Sequence, residues 1–273
     1  MSTRVIITGA ASGIGAETAK QLRAAGAQVI GLDLNASGDG DVIEADVRDQ
    51  ASVDRAVAEA VERLGGLDVL INNAGIGLAQ SAGARPGPDA QAVIDVNLMG
   101  PWRVTGAALP ALRAARGRVV NVASGLAHMA IPLAPAYCMS KRGLVAYSDA
   151  LRLEHGHEIT VTTIYPGYVR TPIHDASRDT GMALEGMVPA EPVEAVAARL
   201  VRAALGAPVR DLATTRSGTV NYALLRVVPR RALDRVITAS LRRAARKSAM
   251  REGLSAELGA ALRASGRGRR RAA

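Results

Sequence analysis

The chain has 273 residues, 48 % of them apolar, with no Phe and a single cysteine, Cys138. That length suits one α/β domain with a sizeable aliphatic core, and the lone cysteine excludes an intrachain disulfide framework and fits a reducing compartment. The net charge of +9 belongs to the tail: residues 1–225 carry 20 basic and 22 acidic side chains, residues 226–273 carry 14 and 3, so the basic balance excludes little about what the body binds.

The first residues lack the basic and apolar regions of a signal peptide, and no apolar run is long enough to span a bilayer, so a cytoplasmic protein is expected. Only Lys20, Lys141 and Lys247 are lysines among the 34 basic residues. A lysine in a candidate site therefore stands out, because Arg and Lys are not chemically equivalent.

In chain order, residues 4–8 read as a strand, 14–25 as a helix, 28–32 as a strand, 41–45 as a short third strand and 52–64 as a helix. Residues 67–72 form a fourth strand, and 89–115 carry helical signals interrupted near Gly100-Pro101. Then come a strand at 118–122, a helix at 137–154, a strand at 159–164, a helix at 192–204 and a weaker strand at 209–214. Near-continuous apolar strands alternating with helices predict a parallel sheet covered on both faces. The expected fold is a single doubly wound, Rossmann-type α/β domain over residues 1–217, with ligands at the carboxyl ends of its strands. Residues 218–273 are expected to form a basic helical extension with a disordered end. Two long loops, 75–88 and 171–189, break the rhythm, and the second suits a lid or binding loop.

The run Thr8-Gly9-Ala10-Ala11-Ser12-Gly13-Ile14-Gly15 lies between the first strand and its helix. Glycines there let the backbone turn tightly and approach a pyrophosphate, which the free N–H groups of the helix would stabilise. The spacing differs from the general G-x-G-x-x-G fingerprint, and a ligand-free strand–helix turn is the plainer alternative. Asp33 ends the second strand, 20 positions past Gly13. Its carboxylate could accept both ribose hydroxyls of an adenosine and would repel a 2′-phosphate, so NAD is predicted over NADP; a turn cap is the alternative. Asp46 and Val47, after the third strand, could contact adenine. Asn73, Ala74 and Gly75, after the fourth, would shape the cofactor crevice. Asn72, Asn73, Asn97 and Asn121 fall at or beside the ends of central elements, four of six asparagines, which favours specific side-chain hydrogen bonds over solvated turns.

Tyr137 and Lys141 stand four apart on a predicted helix, hence on one face. A free tyrosine has a pKa of about 10; a nearby ammonium and a cationic nicotinamide would lower it toward use as an acid/base. Lys141 could also hold the nicotinamide ribose. Ser124, ending the fifth strand, could donate to a substrate oxygen, and Asn97 could hold a water relaying protons to Lys141. A surface Y-x-x-x-K pair arises easily by chance, so the pair gains meaning from the motifs around it. His128, His155, His157 and His174 show no metal-ligand spacing and are expected at the surface or in the lid, so no metal site is expected.

Taken in chain order, these motifs resemble the short-chain dehydrogenase/reductase family over residues 4–205. The segment Tyr165-Pro166-Gly167-Tyr168-Val169-Arg170-Thr171 is similar to the family's stretch beside the nicotinamide. The resemblance implies that Pro166, Gly167 and Val169 flank that ring, with Thr171 bonding its carboxamide. It also implies an active NAD-dependent enzyme that transfers a hydride to or from a secondary alcohol or ketone, with Tyr137 moving the proton. A homodimer or homotetramer paired through the helices after strands four and five is implied too. Ile173, Met182, Leu184 and Met187, with Met129 and Ile131, suggest a lipophilic substrate such as a steroid, terpenoid or fatty compound. Rival readings are an enoyl, imine or acyl-carrier reductase, or a non-catalytic dinucleotide-binding scaffold.

The extension departs from the family pattern. Residues 222–247 read as a helix broken by Pro229, with Leu233, Val236, Ile237, Leu241 and Ala244 on one stripe and Arg231, Arg235, Arg242 and Arg246 opposite. It resembles the basic amphipathic tails of some lipid- and retinoid-type members. Packing on the body or a neighbouring subunit, contact with an anionic membrane surface, and disorder all remain open; nucleic-acid binding is disfavoured because no recognition motif accompanies the charge.

Overall fold

Strand residues that alternate between two buried faces organise the chain around one parallel sheet. The computed structural model describes residues 2–36, 41–174, 189–215, 218–246 and 255–271. The main strands are β1 (Arg4–Thr8), β2 (Gln28–Asp33), β3 (Val42–Glu44), β4 (Val69–Asn72), β5 (Arg118–Val122) and β6 (Thr160–Tyr165). A two-residue pair, β7 (Tyr168–Val169) with β8 (Ala190–Glu191), stands apart, and β9 (Asp211–Ala213) completes the seven-stranded order β3-β2-β1-β4-β5-β6-β9. All pairings are parallel. The order reverses between β1 and β4, where loops leaving adjacent strands diverge and open a crevice at their carboxyl ends.

Helices cover both faces. On one side Ile6 packs with Val53 and Val57 of α2 (Gln50–Leu64) and with Val104 and Leu112 of α4 (Gly100–Ala114). On the other, its neighbours Val5 and Ile7 pack with Leu22 of α1 (Gly13–Ala24) and Leu200 of α6 (Val193–Leu205). Each such aliphatic side chain contributes about 1.5–3 kcal/mol by leaving water. The α2 helix begins at Asp49, whose carboxylate accepts from the Ala51 N–H at 3.1 Å, and ends at Gly65 in the left-handed conformation.

The predicted doubly wound Rossmann-type sheet is what forms, and the differences are local. The interruption expected near Gly100 is no break: α3 (Pro88–Ile94) runs through a wide π-helical turn, Asp95–Met99, directly into α4. Pro101 sits in the first turn of α4, directly after the wide turn. The wide turn directs Asn97 inward, and it is fully buried. After α5 (Pro135–His155) and α6, the described residues form α7 (Gly218–Val227), α8 (Arg230–Arg246) and α9 (Ser255–Arg271). Residues 267–271, expected without order, continue α9. Leu258 and Leu262 of α9 pack on Leu241 and Ala245 of α8, and a helix held by such contacts propagates at the cost of one residue per hydrogen bond. The side chains of Ala244 and Arg246, and the residues Met182, Leu184 and Met187, lie outside what is described.

Buried asparagines tie the sheet to its helices. Asn72 Nδ2 donates to Thr105 Oγ1 at 3.0 Å and to Asn121 Oδ1 at 2.8 Å, while Asn121 Nδ2 donates to Ser148 Oγ at 2.9 Å. Replacing Asn121 by Ala removes one partner from each of two buried groups. We expect Asn121→Ala to lower stability by about 1–3 kcal/mol; an unchanged urea midpoint would show the network to be dispensable.

Candidate active site

The glycine loop is built for close approach. Gly9 has φ +68°, and a Cβ on it would lie 2.9 Å from the Ala74 backbone. A Cβ on Gly15 would fall on the Gly9 carbonyl oxygen, so Gly15 serves the packing of helix on strand and does not line the cavity. Ser12, the residue before α1, makes no side-chain capping bond, and the first turn holds no acidic residue. The opening N–H groups of that 12-residue helix thus remain available to an anion. The loop is tied to the next one: Thr8 Oγ1 accepts from the N–H groups of Asn73 and Ala74, both at 3.0 Å, and Asn73 Nδ2 donates to Thr8 O at 3.0 Å.

A cavity of about 580 Å³ runs from this loop across the sheet ends. Gly9, Ser12, Gly13 and Ile14 line it at the helix end, and Asn73, Ala74 and Gly75 line it beyond β4. Asp33 lines one extremity; its carboxylate accepts from Ala11 N at 2.9 Å and Asn35 N at 3.1 Å. Val47 lines that end too, but Asp46 does not. Arg48, two residues on, takes the Asp46 carboxylate through Nη2 at 2.7 Å and holds its pKa below the usual range.

At the other extremity Ser124, Tyr137 and Lys141 share one wall. Lys141 Nζ, buried, donates to the Val122 carbonyl at 2.9 Å and stands 5.7 Å from the Tyr137 ring centroid. Ser124 opens a short 3-10 turn, Gly125–Ala127, and its Oγ accepts from Leu126 N at 3.2 Å. Asn97 lies behind the wall: Oδ1 accepts from Ile76 N at 2.8 Å, and Nδ2 donates to Ile76 O at 2.9 Å and Ser140 Oγ at 3.2 Å. Its amide hydrogens are thus committed to bracing the β4 loop against α5, which leaves the water relay only the second lone pair of Oδ1. Pro166, Gly167, Val169 and Thr171 line the wall across from the glycine loop. Gly167 N donates to Glu191 Oε1 at 2.7 Å, and Gly125 N donates to Pro166 O at 3.0 Å, which joins this segment to the serine turn.

Burial dominates the electrostatics of the Tyr137–Lys141 pair. Burial pushes the Tyr137 phenol up to about 12, offset in part by its hydrogen bond with Ser124. Burial likewise pushes Lys141 down to about 8. Desolvation disfavours both charged forms of the protein's own groups; the lowering expected of Tyr137 relied on a cationic nicotinamide as well. His128, expected at the surface or in the lid, is instead buried between aromatic rings, 4.8 Å from Tyr165 and 5.2 Å from Tyr222.

Free helix N–H groups, a glycine cradle that a Cβ would fill and an acid at the far end fit a dinucleotide whose reactive ring would face Tyr137. Met129, Ile131 and Ile173 line the cavity as expected, but so do residues not foreseen: Tyr222 of α7, and Val236, Ile237, Ser240 and Leu241 of α8. Their signal was the apolar stripe of α8, which required a partner that sequence could not locate.

The short chain dehydrogenase family model matches residues 3–181. Human retinol dehydrogenase 5 is 40 % identical over 185 residues, 62 % of this chain and 57 % of that protein. Among solved structures, a short chain dehydrogenase from Burkholderia cenocepacia in complex with NADP is similar with a TM-score of 0.72 at 25 % identity, over 86 % of this chain and 98 % of that one. A 3-ketoacyl-(acyl-carrier-protein) reductase from Brucella melitensis complexed with NADH gives a TM-score of 0.68 at 25 % identity, over 79 % and 98 %.

With only three lysines in the chain, the Lys141 ammonium can be followed by NMR and assigned with Lys141→Met. We expect a midpoint near pH 8 without cofactor, below the ordinary 10.5. Between those values the unfolded chain binds the extra proton, so this group's contribution to stability rises as pH increases from about 8 to 10.5. A midpoint at the ordinary value would refute the buried placement.

Proposed function

Because the chain belongs to the short-chain dehydrogenase family, we propose that it is an NAD-dependent oxidoreductase acting between a secondary alcohol and a ketone, with a lipophilic substrate. The observation that carries this reading is the wall shared by Ser124, Tyr137 and Lys141 at the end of the cavity opposite Asp33. When bound, the nicotinamide supplies the hydride chemistry and, oxidised, a positive ring charge. Tyr137 Oη takes the hydroxyl proton of an alcohol, or returns it to a ketone oxygen. Ser124 Oγ donates to that same oxygen as negative charge develops on it. Lys141, tethered to Val122, is placed for the nicotinamide ribose, and in its protonated form it favours the phenolate. A non-catalytic scaffold gives no reason to bury an amine and a phenol against one cavity wall.

Membership of the family leaves the dinucleotide open, since its relatives hold either form. Support for NAD comes from Asp33: a carboxylate bounds that end of the cavity, and Lys141 is the only cation among the described lining residues. For assembly, the exposed Trp102 of α4, its ring 5.4 Å from that of Tyr147 on α5, supports pairing through these two helices. Cys138, free and buried, accords with a cytoplasmic site. Residues 1–217 are taken as the catalytic unit and 218–273 as its extension, whose outward arginines leave peripheral contact with a membrane as a secondary role.

Tyr137→Phe should cut turnover of secondary alcohols by at least a thousandfold while NADH binding, read by fluorescence, stays within about twofold. Near-normal turnover would remove Tyr137 from its role. In the unmodified enzyme kcat/KM should favour NAD over NADP, and Asp33→Ala should narrow the gap; a preference for NADP would reassign Asp33 to a turn cap.

A further inference from the structure

The basic extension contributes to the cavity itself. Val236, Ile237, Ser240 and Leu241 occupy one face of α8, at positions i, i+1, i+4 and i+5, and all four line it. The helix is anchored from two sides. Leu241 and Ala245 pack with Leu258 and Leu262 of α9. One helix earlier, Tyr222 stacks on His128, and a Cβ on Gly125 would meet its ring at 3.0 Å. Since Gly125 follows Ser124 directly, the first half of α7, which carries Tyr222, sits at the substrate end of the cavity. Leu126, Met129 and Ile131, close after Ser124 in the chain, line the same cavity. Neither group of residues carries a charge. Arg231 and Arg235 lie on the opposite, exposed side of α8, so their charge faces solvent while Val236, Ile237, Ser240 and Leu241 face the cavity.

Val236 is 63 % exposed although it lines the cavity. It therefore marks the rim, an apolar side chain at the mouth on a helix otherwise arginine-rich outside. A substrate whose oxygen meets Tyr137 and whose body continues along Leu126 and Ile237 reaches solvent over Val236. Accordingly, we propose that α8 forms an apolar subsite which selects secondary alcohols or ketones bearing an extended hydrocarbon chain, with Val236 as its specificity-determining rim. This rests on the proposed alcohol/ketone activity and adds the class of substrate.

The test compares 2-decanol with 2-butanol in the full-length enzyme and in Val236→Asp, a change at an exposed position that leaves the packed residues of α8 untouched. The unmodified enzyme should prefer 2-decanol. Val236→Asp should lose about tenfold in kcat/KM for 2-decanol, as expected for placing charge where about two methylenes are buried, with 2-butanol unchanged. Ser240→Trp, which narrows the same face, should also act on 2-decanol alone, and Arg235→Ala on neither. Equal preference in the unmodified enzyme, or parallel losses for both alcohols, would overturn the subsite. If the unmodified enzyme turns over neither alcohol, the proposed activity fails by itself, and calorimetry with 2-decanone and NADH decides the subsite. Tighter binding by the unmodified chain than by Val236→Asp upholds it; equal binding overturns it.

Discussion

One hydrogen bond sets the register of the whole site: Lys141 Nζ to the last carbonyl of β5, that of Val122. Two residues beyond that carbonyl lies Ser124, and one helical turn before Lys141 lies Tyr137. Joining a strand end to a buried amine 19 residues later therefore brings the hydroxyl and the phenol to the same wall without either needing its own anchor. An arginine could not substitute. Its planar guanidinium retains its charge and needs several acceptors, whereas a desolvated amine can be satisfied by one carbonyl and shed its proton.

Burial then sets the working state. Tyr137 and Lys141 are themselves withdrawn from water, so the phenol is pushed up and the amine down. Neither group is charged cheaply by its own surroundings, and a cationic ring brought in by a dinucleotide would shift the balance toward the phenolate. The neighbouring side chains act as a frame. Asn97, turned inward by the wide helical turn, couples the β4 loop to α5, and the Asn72–Asn121–Ser148 chain couples β4 and β5 to the same helix.

What could be read from sequence was whatever depends on local spacing. The parallel strands followed from uninterrupted apolar runs, the glycine turn from its position between strand and helix, and the Tyr137–Lys141 pair from helical periodicity. The asparagines at strand ends were rightly taken for specific hydrogen bonders. Properties set by three-dimensional neighbours were not legible. Asp46 lay in the expected loop, but its ion pair with Arg48 was not foreseen. The direction of the Tyr137 shift depended on how much water burial removes, and sequence spacing contains no measure of that. His128 looked like a loop histidine because Tyr165 and Tyr222, which enclose it, are 37 and 94 residues away. The stripe on α8 was visible; its partner, more than a hundred residues upstream, was not.

The contact of Tyr222 with Gly125 has a mechanical consequence. A hydrogen atom is all that separates the tail's aromatic foot from the turn that carries Ser124, so there is no slack between them. A methyl group at position 125 would collide with the end of that ring, and the Tyr222 side chain would have to shift. Selectivity and proton transfer thus meet at the smallest residue in the chain.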